Sequence, residues 1–160
     1  MRTQWDNVTS SDVEGEWPSV ETKREISSRR QEFYDAMRQL EWSVAGASGR
    51  DGWANEVEKA LTALHAALQR HVLEIEAEDG LFADVIGRAP HLAPEVAILR
   101  KDHEDLLVSC RLASSLVADW ASPSEIRRKV LGILGRLAIH RQRGAELLFD
   151  TYNVDLAVGD

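Results

Sequence analysis

Four separate stretches of this chain repeat apolar residues at alternating spacings of four and three, and that periodicity restricts it to amphipathic helices packed on one another. The first stretch starts at Thr22 and runs Ile26, Arg30, Phe33, Met37, Leu40, Val44. The breaker GASGRDG, residues 46–52, ends it. The second runs Val57, Leu61, Leu64, Leu68, His71, with Ile75 and Glu78 continuing the face, and ends between Gly80 and Gly87. After Pro90 and Pro94 a third follows through Val96, Leu99, His103, Leu106, Cys110, Ala113 and Val117. The fourth opens on Ser122-Pro123-Ser124-Glu125, an N-cap serine with proline at the first helical position and glutamate three residues after the cap. Its seam is Ile126, Val130, Ile133, Leu137, His140, Gly144, Leu147 and Thr151. No strand pattern competes and no internal repeat is present.

Four long helices joined by links of several residues pack antiparallel to their neighbours, because such links leave no room for crossovers. The expected fold is therefore all-α, an up-down-up-down antiparallel four-helix bundle over residues 22–156, with an N-terminal arm at 1–21 and a short tail at 157–160. The arm lacks a helical period, and Trp5 and Trp17 point to contacts with the bundle or with a second subunit.

At 160 residues the chain suits one domain that can bury a core without disulfides. Its formal net charge is −8 and no basic run is longer than Arg127-Arg128-Lys129, so a nucleic-acid partner has no electrostatic footprint. The single Cys110 makes no internal disulfide, and no basic start is followed by an apolar run. Apolar runs fall far short of the roughly 20 residues that cross a bilayer. The expectation is a cytoplasmic protein with no membrane partner; its five tryptophans suit a homodimer.

Polar residues on the seams are the next constraint. Arg30 and His103 lie about nine residues into their helices, and His71 and His140 lie about as far from the ends of theirs, roughly 14 Å at the helical rise. In alternating helices all four fall at one end of the bundle. A buried imidazole left unpaired costs about 1 to 3 kcal/mol, so three at one level need a shared partner. Neutral imidazole is a good ligand for iron, zinc, copper or nickel, and bundle cores commonly hold histidine and carboxylate sites. Glu74 and Glu78 stand three and seven residues after His71 on the same face and can add oxygen ligands.

The segments HVLEIEAEDGLF from His71, KDHEDL from Lys101 and HRQRGAELL from His140, with an aromatic-rich tail ending in Asp155, resemble the hemerythrin-like, or HHE cation-binding, family. The likeness covers most of residues 22–156 and rests on the order and spacing of these pieces. It implies a four-helix bundle and, where the ligand set is full, a carboxylate-bridged non-haem di-iron centre that binds or senses dioxygen. This chain departs from that pattern. The resemblance places a first-helix histidine near Arg30 or Gln31, and glutamates at Ile75 and Gly144.

Two arrangements fit the departures. In one, His71, His103 and His140 hold a metal, iron (one or two ions) or zinc, with Glu74 or Glu78 and water completing the sphere. In the other, no metal binds: Arg30 replaces the cation and pairs with Glu78 or Glu74. The first implies a non-enzymatic metal-binding protein for storage, or for oxygen or redox sensing. The second implies an interaction or regulatory module working through its surface. A di-iron oxidoreductase is disfavoured by the missing bridging glutamates. Gly144 costs about 1 kcal/mol against alanine inside a helix, so on the inner face it makes room for a helix, a water or a small ligand. His65, about 120° off the His71 face, and His91, in a loop, read as boundary and surface residues, and Cys110 as a small core hydrophobe. Arg141, Arg143 and Glu146 read as a solvated flank.

Overall fold

A computed structural model of the chain describes the backbone of residues 20–157 and the side chains of residues 30–152. Residues 1–19, with Trp5 and Trp17, and those beyond 157 lie outside the described residues, as do the side chains of Ile26 and Asp155. The described chain is all-helical: α1 (Val20–Ala45), α2 (Trp53–Ile75), α3 (Leu81–Arg88), a single 3₁₀ turn (Pro90–Leu92), α4 (Ala93–Ala118) and α5 (Pro123–Ala157). Helix α1 packs on α2 and α5, and α4 packs on α2 and α5. None of these helices is long and apolar enough to cross a membrane.

The seams form the main core. Leu40, Leu61, Leu64, Leu68, Leu106, Ile133 and Leu137 are fully buried and come from all four long helices. Each such side chain contributes about 1.5–3 kcal/mol of burial. Cys110 sits in this cluster as a free thiol. Where the seam predicted Arg30 inside, the side chain is exposed. Arg127 of α5 donates to the carbonyls of Val44, at 3.0 Å, and of Gly46, closing the end of α1. The capping box forms as the sequence indicates. The Ser122 amide donates to Glu125 Oε2 at 3.1 Å, while the Glu125 amide points at Ser122 Oγ at 3.4 Å.

The chain departs from the expected elements between residues 76 and 92. Helix α2 stops at Ile75 instead of continuing through Glu78, and the stretch between Gly80 and Gly87, where the second helix was expected to end, forms the separate short helix α3. The cause is the return at Gly80, which brings the backbone against the last turn of α2. A Cβ at Gly80 would lie 2.5 Å from the Glu74 carbonyl oxygen and 2.7 Å from that of Ile75, so only glycine permits the approach. The eight residues of α3 bury Phe82 and Val85 in a second apolar cluster with Leu92, Val96, Leu99 and Leu147. On α4 and α5 this cluster lies on one side of His103 and His140, and the main core lies on the other.

Candidate metal centre

His71 stands in the penultimate turn of α2, His103 in the third turn of α4, and His140 midway along α5. One ligand nitrogen from each lies within 4.8 Å of the other two, the only such grouping of potential metal ligands among the described residues. His103 and His140 are buried, 1% and 6% exposed, and His71 is half-buried. Aromatic rings hold two of them in place: Phe33 stacks on His71 with centroids 5.2 Å apart, and Phe82 of α3 stacks on His103 at 5.7 Å.

The hydrogen bonds at the far side of each ring decide what the near side presents. His103 Nδ1 is 2.5 Å from Glu76 Oε1. A carboxylate there accepts a hydrogen from Nδ1, so the neutral ring offers a lone pair at Nε2. His140 Nδ1 faces Asp102 Oδ2 at 3.6 Å, close enough for attraction and too long for a hydrogen bond; the nitrogen is buried with no hydrogen-bond partner. Asp102 is itself held by Arg143 at 2.9 Å. A hydrogen on His140 Nδ1 is drawn toward that carboxylate, which turns the lone pair of Nε2 toward His103. The two Nε2 atoms are 3.2 Å apart. Two opposed lone pairs at that distance repel, and a cation or a proton between them converts the repulsion into attraction.

Burial disfavours the charged form of His71 and of His140. His71 is pushed down to about 4 by desolvation, and then by the positive charge that His103, His140 and Arg30 would add. His140 is also pushed down to about 4, by desolvation and by His103, against an upward pull from Asp102. Neutral imidazole is the form that binds metals. For a tetrahedral ion with bonds of about 2.0–2.1 Å, ligand nitrogens stand roughly 3.3 Å apart, so the His103–His140 pair at 3.2 Å is already spaced for one, while a His71 nitrogen lies within 4.8 Å of both and must close in to complete the set.

The carboxylates chosen from helical periodicity are placed differently from the histidines. Glu74 is half-buried and lines a cavity of about 630 Å³ that opens beside the three rings, while Glu78 is exposed in the turn after α2. Neither belongs to the histidine grouping. Arg30 also lines the cavity, exposed and without an ion-pair partner among the described residues, so it does not stand between the imidazoles. The acidic residues that do touch the rings, Glu76 and Asp102, were not singled out from sequence. Glu76 reaches His103 only because α2 has ended one residue earlier. Asp102 precedes His103 in the chain yet serves His140 on the neighbouring helix, a relation that only the α4–α5 packing creates. Its position within KDHEDL was the one available signal. His65 is half-buried, its Nε2 without a hydrogen-bond partner, and His91 is exposed in the 3₁₀ turn.

No protein-family model, no curated protein and no solved structure matches this chain.

Proposed function

We propose that the chain is a hemerythrin-like metal-binding protein, an up-down-up-down bundle that holds one iron or zinc ion through His71, His103 and His140. The observation that carries this reading is the opposed Nε2 pair of His103 and His140 at 3.2 Å, with Glu76 and Asp102 behind the two rings. A carboxylate behind a ligating histidine fixes its tautomer and strengthens it as a donor. One ion is favoured over two, because Ile75 and Gly144 stand where bridging glutamates would be needed. Three nitrogen donors leave part of the ion's sphere for an outside ligand, and the adjoining cavity gives water or dioxygen access to it. The role that fits is storage of the metal, or sensing through it, without turnover.

The test is metal content per chain, by mass spectrometry, on protein prepared without chelator or immobilised nickel. About one equivalent of iron or zinc, lost in His103→Ala, supports the reading; metal-free protein that also fails to take up either ion under reducing conditions sinks it. A second reading draws on the same 3.2 Å separation, which is also a hydrogen-bond distance. Here His103 is an imidazolium that donates to Glu76 and to His140, and the bundle is a metal-free interaction module. Nitrogen-15 shifts of the imidazoles separate the two, since a protonated His103 and a metal-bound one differ at Nε2.

A further inference from the structure

The cavity beside the histidines has features that a metal site alone does not need. Its walls are largely apolar, built by Phe33, Ile75, Leu81, Leu99, Leu147 and Leu148, and its volume of about 630 Å³ falls in the range of small-molecule sites. Three arginines border it: Arg30, Arg70 and Arg141. Arg70 is paired with Glu32. Arg30 and Arg141 have no ion-pair partner among the described residues, and Arg141 is held over the Tyr34 ring, 4.3 Å from its centroid, which orients the guanidinium without neutralising it. Two carboxylates line the cavity as well, Glu32, which Arg70 holds, and Glu74, and neither forms an ion pair with Arg30 or Arg141. Gly144 also lines the cavity, and a Cβ there would meet nothing within 4 Å, so packing does not require glycine at this position. Its missing side chain leaves the cavity wider than the fold demands.

We infer that this cavity binds a small organic anion with an apolar body, a medium-chain or aromatic monocarboxylate. Its carboxylate is held by Arg30 and Arg141, and its hydrocarbon part lies against the apolar wall next to the histidines. A guanidinium recognises a carboxylate through two parallel hydrogen bonds, while the hydrocarbon gains from leaving water. The site is built without the metal, so it exists whether or not the histidines hold an ion.

Calorimetric titration of octanoate into chelator-treated full-length protein tests this, with octan-1-ol and acetate as comparison ligands. The expected result is one octanoate per chain, bound roughly tenfold or more tighter than octan-1-ol, and no measurable acetate binding. Arg30→Gln combined with Arg141→Gln brings octanoate down to the affinity of the alcohol and leaves the alcohol unchanged. Gly144→Phe, with folding checked by circular dichroism, removes both. Equal binding of octanoate and octan-1-ol by the native chain overturns the inference. So does octanoate affinity unchanged in the double arginine variant, or octanoate binding that appears only after metal is restored. Should Gly144→Phe fail to fold, the exposed arginine substitutions decide alone. Metal content is measured on separate samples, so a metal-free protein that binds octanoate sinks the metal proposal and leaves this one standing.

Discussion

His103 and His140 bring their Nε2 atoms to 3.2 Å across the α4–α5 interface, and each ring turns its Nδ1 toward a carboxylate, Glu76 for one and Asp102 for the other. Two apolar clusters close on this pair from opposite sides, so water has little access to it except through the cavity.

Removing the charge behind a ring while keeping its shape isolates the carboxylate's contribution. Glu76→Gln leaves a hydrogen-bond acceptor for His103 Nδ1 but takes away the negative charge that strengthens Nε2 as a donor. Loss of such a partner typically weakens metal binding by about 10- to 100-fold. We expect that range for Glu76→Gln, measured by competition with a chromophoric chelator. A smaller effect is expected for Asp102→Asn, whose 3.6 Å contact is looser. Unchanged affinity in both variants would falsify the assignment of these carboxylates to the site.

How far the site could be read from sequence follows from these same residues. Spacing at three and four residues placed His71, His103 and His140 on buried faces, because a helix seam is a local property of the chain. Helix ends are not local in the same way. Nothing in Ile-Glu-Ala-Glu-Asp marks Ile75 as the last residue of α2; the stop comes from the return of the chain at Gly80, and with it Glu76 reaches the far side of His103, whereas Glu78, expected as an oxygen ligand, stays exposed. Helix α3 was hidden for a related reason. Its eight residues are bounded by Gly80 and contain Gly87, which read as breakers, and its helicity is supported by Phe82 and Val85 packing into the second cluster. Arg30 satisfied the seam spacing, yet stays exposed because its charge has no buried partner to meet.

Acid should destabilise the metal-free protein before its carboxylates titrate in full. The folded values of His71 and His140 lie near 4, against about 6.5 in an unfolded chain, so between these limits the unfolded state binds more protons. Stability is therefore at its full value above about pH 6.5 and is lost as pH falls toward 4. Each shift corresponds to at most about 3 kcal/mol, and the two are not additive because the rings repel each other when charged. Urea unfolding of chelator-treated protein between pH 7.5 and 4 should show the midpoint falling through this window. His140→Gln should flatten the fall; an equally steep decline in that variant would assign it to other groups.

Cys110 offers a readout of opening that is independent of the site. It is fully buried in the main core and its thiol is pushed up to about 11 by burial, so little thiolate exists at neutral pH and none is accessible. Native protein should react with a thiol-specific dye far more slowly than a free thiol does, at a rate that rises with urea along with unfolding. Prompt stoichiometric labelling in buffer would show that α4 does not hold this residue inside.

Two glycines should respond to alanine with opposite signs. At Gly80 the new methyl would sit 2.5 Å from Glu74 O, 2.7 Å from Ile75 O and 3.0 Å from Ala77 N, all backbone atoms that cannot rotate away. The turn between α2 and α3 must open, at a cost of about 1–3 kcal/mol typical of overpacking. Because that turn carries Glu76 on one side and leads into Phe82 on the other, Gly80→Ala should also weaken metal binding. At Gly144 the methyl meets nothing within 4 Å, and replacing a glycine inside α5 should stabilise by about 1 kcal/mol. For a domain of this size the expected change in Tm is an increase of roughly 2–4 °C at Gly144 and a decrease of at least that much at Gly80. Thermal denaturation of the two variants beside the native chain decides the matter. A Gly80→Ala protein as stable as the parent would mean that the close return after α2, and with it the placement of Glu76 against His103, is not maintained.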